Sequence, residues 1–283
     1  MTLSPLVFKS PAKLNLMLHI TGRRNDGYHL LQTVFQFIDL YDYLTFEITQ
    51  DGSITRSGSR TSVDEADDII LLAAKLLQSK YSISLGLRYS IEKHIPIGGG
   101  LGGGSSNAAT TLMVLNKLWD LNLDSSELAI LGLELGADVP VFIEGKSAWA
   151  SGIGEDLMPI DLPKPWFVVI YPQIFVSTVE IFASEQLTRN CDPITIRAFL
   201  AGGGRNVCEP VACQLYPDIK NAIDWLNQYS IAKMTGTGAC IFASFNSLEQ
   251  AESVTSLAPK HWSAFVVKAM NTNPILEQCE TLQ

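Results

Sequence analysis

The chain has 283 residues, 47% apolar and 17% charged, with a formal net charge of −9, which is enough apolar material for a sizeable core divided between two domains. The acidic balance and the lack of a Lys/Arg cluster or basic helix argue against a nucleic-acid partner. The N-terminus has no signal-like apolar region, and no run of about 18 apolar residues is present to span a bilayer, so a cytoplasmic protein is expected.

In chain order, residues 6–8 and 14–20 read as two strands punctuated by Pro11. Lys13 and Asn15 lie two apart, so on an extended segment they share a face opposite Leu14 and Leu16. That face is either a solvated strand surface or a cation and an amide lining a site. Residues 22–29, GRRNDGYH, form a polar turn ending in Tyr28 and His29. These two rings either pack half-buried or stack on a base. Residues 43–49 alternate as a strand, and 50–67 read as a loop or hairpin with no functional assignment. Residues 68–78 have helical periodicity, and 83–92 alternate as a strand running into the next segment.

That segment is PIGGGLGGGSS at 96–106, in which six of eleven residues are glycine. Glycine lets another group approach the main chain closely. The periodicity of Ala108, Ala109, Leu112, Met113 and Leu115 predicts a helix over 105–119 directly afterwards. A glycine loop emptying into a helix start offers free N–H groups and the positive end of a helix dipole, an anion site suited to nucleotide phosphates. Gly98, Gly100 and Gly103 formally satisfy GxGxxG. The acidic residue expected about 20 positions beyond a dinucleotide fingerprint is not convincing, which disfavours an oxidoreductase. The only GKS, at 145–147, has Pro140 where a Walker A loop needs its first glycine, and no protein-kinase signature is present.

Just ahead of the loop, Lys93 either meets a ligand phosphate or sugar hydroxyl or stands at a solvated strand end. Beyond it, residues 125–135 predict a helix closed by Gly136, followed by GADVP at 136–140. Asp138 there is either a helix N-cap or the carboxylate that positions an attacking alcohol, with Lys13 as its cationic partner. Residues 159–165 read as a connector, and WFVVIY at 166–171 as a buried strand. Residues 177–186 are helix-like, with Thr178 and Phe182 four apart on one face. AGGGR at 201–205 reads as a connector, 218–228 as an amphipathic helix, 233–243 as a Thr/Gly turn before a buried strand, and 264–270 as a last strand. The Thr/Gly turn is either a tight hairpin or a second anion nest. The five cysteines, Cys191, Cys208, Cys213, Cys240 and Cys279, are odd in number and lack CxxC spacing, so buried thiols are expected.

PAKLNL at 11–16, PIGGGLGGGSSNAA at 96–109 and MTGTGACIFA at 234–243 resemble, in order and spacing, the three motifs of the GHMP kinases. With GRRNDGYHLLQT at 22–33 and GADVPVF at 136–142, the chain resembles the branch of that family acting on a cytidine diphosphate derivative of methylerythritol. The resemblance implies a two-domain α+β fold: a ribosomal-protein-S5-domain-2-like lobe over 1–160, a ferredoxin-like lobe over 161–283, and a site in the cleft between them. It implies a small-molecule kinase using ATP and Mg2+, acting as a monomer or weak homodimer in the non-mevalonate isoprenoid route. Lys13 and Asp138 would then be catalytic. Pro96, Ile97, Gly98, Gly99, Gly100, Leu101, Gly102, Gly103, Gly104, Ser105 and Ser106 would hold ATP, with Ser106 near the magnesium ion. Asn15, Tyr28, His29, Lys93, Thr178 and Phe182 would join Asp138 in holding the cytidylated substrate. Kinases of mevalonate, homoserine or a sugar are the alternatives within the fold, and a non-enzymatic nucleotide-binding regulator is an alternative outside catalysis.

Overall fold

The computed structural model describes residues 6–24, 27, 29–58 and 67–282. Two long antiparallel strands, β1 (Leu6–Arg23) and β2 (His29–Thr49), form its spine. The break expected at Pro11 does not occur. Instead the register shifts between Pro11 and Ala12, and such a bulge tolerates the missing proline donor.

One edge of β2 carries β1. Its other edge is shared along its length by β5 (Ala148–Ser151), β10 (Ser263–Met270) and β4 (Gly86–Glu92). The short β3 (Ile54–Arg56) runs parallel to β4, and β6 (Asp156–Pro159) pairs with β5. Against this sheet pack α1 (Ile69–Lys80), α2 (Gly103–Leu118), α3 (Ser125–Leu135) and α4 (Val139–Glu144), closing a core that contains Phe37, Leu44, Leu112 and Phe142. Asp68 caps α1, and a reciprocal Asp124–Glu127 capping box starts α3.

Through β10 the ten-stranded sheet continues into a second part with the order β10-β7-β9-β8, comprising β7 (Trp166–Tyr171), β8 (Lys233–Met234) and β9 (Ile241–Phe245). All its neighbours are antiparallel. Between β7 and β8 lie α5 (Thr178–Ala183), α6 (Ile196–Leu200), α7 (Glu209–Leu215) and α8 (Pro217–Leu226), and α9 (Leu248–Ser256) joins β9 to β10. This is the twice-split β-α-β order of a ferredoxin-like lobe. WFVVIY reads as a continuous apolar run because both faces of β7 are covered, Val168 and Ile170 packing in one core cluster and Phe167 and Val169 in another. Among the described strands the only parallel pair is β3–β4, so the parallel sheet of a dinucleotide-binding fold is absent from them.

The two lobes interlock. Leu18 and Ile20 of β1 belong to the second core, and Leu18 exchanges backbone hydrogen bonds with Arg205 and Val207 at 3.0 and 2.9 Å. The last helix, α10 (Ile275–Glu280), returns to bury Ile275 and Cys279 in the first core.

Candidate active site

Lys13 and Asn15 do share a face of β1, but it is not a solvated one: they are 2% and 4% exposed. The Lys13 ammonium donates to Asn15 Oδ1 at 2.5 Å and to the Gly100 carbonyl at 3.2 Å, and it pairs with Asp138 Oδ2 at 3.1 Å. Asp138 occupies the N-cap position of α4, yet its side chain makes no capping hydrogen bond. The carboxylate is turned to Lys13 instead, so its side chain does not cap the helix. Asn15 Nδ2 donates to Thr33 Oγ1 at 2.9 Å, so both ends of its amide have partners in the protein. Asn15 thus braces the Lys13 ammonium against β2.

The helix after the glycine run starts at Gly103, inside the run, and no side chain caps it. Its first-turn N–H groups therefore lack intrahelical acceptors and open onto a cleft of about 460 Å³ lined by residues 96–105 and Asn107. Gly100 and Gly102 have φ of 74° and 71°. A Cβ on Gly100 would come within 2.5 Å of the Thr235 carbonyl oxygen, and one on Gly102 within 2.9 Å of Lys13 Cε. The loop thus lies directly on Lys13 and on the Thr/Gly turn. That turn joins β8 to β9 as a hairpin, and the Ala239 and Cys240 N–H groups donate to the carbonyls of Gly98 and Gly99 at 3.2 and 3.0 Å.

Ser106 does not fit a metal contact. It is fully buried, and its hydroxyl accepts from Ser10 Oγ at 2.7 Å, because the early helix start turns it toward β1. Ser105 lines the cleft in its place. Among the described residues no group of three or more His, Cys, Asp or Glu is arranged to hold a metal. Lys93 is held by a buried acid. Its ammonium pairs at 2.5 Å with Asp42, a fully buried carboxylate whose other oxygen accepts the His94 and Ile95 N–H groups. It borders the same cleft as the glycine loop, 3.3 Å from where a Gly103 Cβ would stand.

At the other end, the His29 ring stacks on Phe182 with centroids 5.1 Å apart. Arg189 was not picked out from sequence. Its Nε donates to His29 Nε2 at 3.2 Å, and its Nη2 donates to the carbonyls of Phe182 and Ser184, both at 2.8 Å. Accepting at Nε2 leaves the neutral ring's proton on Nδ1. Burial, then the Arg189 and Arg23 charges, hold the His29 pKa below its usual value. Thr178 begins the same helix and shares a hydrogen bond with Thr237 at 2.9 Å. The helix α5 therefore runs from the Thr/Gly turn to His29. Tyr28 lies outside the described residues.

Sequence reasoning also passed over Arg56 and Asp67, which line the nucleotide-sized cleft from the segment left without a role. Arg56 contacts Asp68 at 3.0 Å, and Asp68 in turn caps α1 and accepts from Tyr89 Oη at 2.8 Å. The five cysteines are free, and Cys208, Cys240 and Cys279 are buried. Burial pushes the Cys208 thiol up to about 12, which leaves it inert.

The family model for the N-terminal domain of GHMP kinases matches residues 68–146, and the model for the GHMP kinase C-terminal domain matches 186–264. A 4-diphosphocytidyl-2-C-methyl-D-erythritol kinase of Nitrosococcus oceani is 52% identical over 275 residues, covering 97% of this chain and 98% of its own. A kinase of the same name from Pseudomonas fluorescens strain Pf0-1 is 48% identical over 282 residues, covering 100% of both. A crystal structure of a 4-(cytidine 5'-diphospho)-2C-methyl-D-erythritol kinase aligns with a TM-score of 0.81 at 30% identity, covering 93% of this chain and 99% of that one. The mevalonate kinase of Methanococcus jannaschii, at 17% identity and a TM-score of 0.69 over 95% of this chain and 99% of its own, shares the fold. Identity sustained along whole relatives, with both family models matched in order, means that the chain belongs to the GHMP kinase family.

Proposed function

We propose that the protein transfers the γ-phosphoryl group of ATP to the 2-hydroxyl of 4-diphosphocytidyl-2-C-methyl-D-erythritol, giving the 2-phosphate and ADP in the non-mevalonate route to isoprenoids. The observation that carries this reading is the Lys13–Asp138 pair, held at 3.1 Å directly beneath the glycine loop. A carboxylate one-third exposed is accessible to an alcohol, and its buried ammonium partner holds it in orientation. The hydroxyl oxygen attacks the γ-phosphorus in line, its proton passes to Asp138, and the bond to the β-bridging oxygen breaks with its electron pair leaving on ADP. Such a transition state is loose, so most of the acceleration comes from placement and charge.

Residues 96–105 and the first turn of α2 would receive the phosphates, with Lys93 at the edge of the same cleft. His29 and Phe182, supported by Arg189, would take the cytosine, and Thr178 would lie between the two ends. Mg2+ would arrive with the nucleotide, as is usual for an ion that prefers phosphate oxygens and water to an all-protein cage. Among the described residues no helix is long and apolar enough to cross a membrane, and a cytoplasmic monomer or weak dimer acting on small molecules is part of the proposal.

An aromatic pair backed by a guanidinium suits a planar base better than mevalonate, homoserine or a sugar. A coupled ADP-release assay with each acceptor tests this. Turnover is expected with the cytidylated alcohol, and turnover with one of the small alcohols instead would overturn the assignment. A regulator without catalysis would release no ADP with any of them.

A further inference from the structure

The Thr/Gly turn at 235–238 touches both the glycine loop and the strand bearing Lys13, yet its own hairpin is slight. The strand leading into it, β8, has two residues. Two side chains from the segment after the 201–205 connector supply what that strand lacks. Asn206 is 6% exposed and its amide bridges the two segments: Nδ2 donates to the carbonyls of Met234 at 2.8 Å and Gly236 at 2.7 Å, while Oδ1 accepts the Cys208 N–H at 2.9 Å in its own segment. Glu209 Oε2 accepts the Met234 N–H at 2.8 Å. The backbone on both sides of Thr235 is thereby fixed by side chains far away in sequence.

Thr235 is the residue that connects this clamp to the chemistry. Its hydroxyl accepts the Asn15 N–H at 2.9 Å and donates to the Gly100 carbonyl at 3.4 Å. The same carbonyl accepts from the Lys13 ammonium. Little slack exists between the two loops, since a Cβ on Gly236 would lie 3.1 Å from the Gly100 oxygen. We propose that Asn206, assisted by Glu209, is a positioning residue for phosphoryl transfer, holding the 235–238 turn so that Thr235 and Gly100 keep Lys13 against Asp138. The inference rests on the reading that this pair carries out the chemistry.

The test uses the full-length protein and five variants: Asn206→Ala, Asn206→Asp, Glu209→Ala, Glu209→Gln and Val254→Ala. Val254 lies in the second core on α9, and its variant is a stability control remote from the turn. Misplacement of reacting groups by about 1 Å costs on the order of 100-fold in rate. Asn206→Ala and Asn206→Asp, which lose both donors, are therefore expected to lower kcat by about 10- to 100-fold. Their KM for the cytidylated acceptor should stay within about threefold of wild type. Val254→Ala should lower Tm with kcat unchanged. Glu209→Gln keeps an acceptor for the Met234 N–H and should retain activity that Glu209→Ala loses, and this comparison decides the matter if the Asn206 variants do not fold. Calorimetric binding of a non-hydrolysable ATP analogue provides an acceptor-independent readout, with affinity expected to weaken in Asn206→Ala and not in Val254→Ala.

Folded Asn206 variants whose kcat and nucleotide affinity match those of Val254→Ala would reduce Asn206 to a structural residue and overturn the proposal. A wild type that binds the nucleotide but does not turn over the cytidylated alcohol would instead overturn the functional reading, and the binding comparison would still judge Asn206.

Discussion

Replacing Asp138 with asparagine separates what the ion pair does for the fold from what it does for the reaction. The Lys13 ammonium has three N–H groups and three acceptors, at 2.5, 3.1 and 3.2 Å. An asparagine can turn its carbonyl oxygen to the ammonium, so the hydrogen bond persists and only the Coulombic part is lost. At this separation that part is about 5 kcal/mol gross for an effective dielectric of about 20. Much of it offsets the cost of keeping Lys13 from water. Breaking a fully buried pair costs about 3–5 kcal/mol. The Asp138 side chain, however, is 34% exposed, and screening at that exposure reduces the expected loss to about 1–2 kcal/mol. For a chain of this size that is a fall in Tm of a few degrees. Losing the proton acceptor is expected to cost about 100- to 10,000-fold in kcat, with nucleotide affinity little changed. Coupled ADP release and a thermal melt on the same preparation measure both quantities. A kcat within tenfold of wild type in a variant with the expected melt would refute Asp138 as the base. Lys13→Met should lose turnover as well, while costing less stability, because the carboxylate left behind can reach water.

Gly102→Ala should be inactive though still folded: the left-handed φ disfavours alanine by about 1–2 kcal/mol, and the new methyl displaces the Lys13 side chain; wild-type kcat would show that the loop can yield there. Phe182→Ala should raise the KM for the cytidylated acceptor while leaving that for ATP in place, and the reverse pattern, measured by varying each substrate in turn, would move the base-binding end elsewhere. Lys93→Ala should raise the KM for ATP rather than for the acceptor, measured in the same way. His19 and His29 both have lowered pKa values, burial being the leading cause for each. Between their folded values and 6.5 the unfolded chain binds more protons than the folded one, so stability rises with pH through that window and is lost as the pH falls through it. Melts at pH 7.5 and 5.5 should therefore differ, and His19→Gln should reduce the difference; an unchanged slope would exclude His19 as a source.

Features that are local in sequence were legible. The glycine run opening a helix, the 125–135 helix closed by Gly136 and the apolar run of β7 each state their structure within a few residues. Pro11 misled because strand pairing overrides local punctuation: β2 continues past it and the bulge absorbs it. The two serines at the loop end look equivalent, but a helix starting at Gly103 sends Ser106 to Ser10 and leaves Ser105 at the cleft. Lys13 and Asp138 could be nominated from their residue types and surroundings, whereas their contact exists only because the loop, β1 and α4 converge. Arg189 and Asn206 lie in a stretch without periodicity, where a side chain acquires its role from distant partners. The one local signal for Asn206 is its turn-forming bond to the N–H two residues on.

The return of α10 to the first core has a consequence for how the protein is made. The strand that opens the chain is tied to its final helix, with the Lys9 N–H donating to Gln278 Oε1 at 2.9 Å and Gln278 Nε2 donating to the Val7 carbonyl at 3.3 Å. During synthesis the lobe bearing the glycine loop is begun first, but Ile275 and Cys279 leave the ribosome after the whole second lobe. Domains otherwise fold as units from the N-terminus. Here the lobe bearing the glycine loop is completed after the second one, so a chain lacking α10 lacks part of that lobe's core, and the cleft beside the loop reaches its final form only after the second lobe has been made.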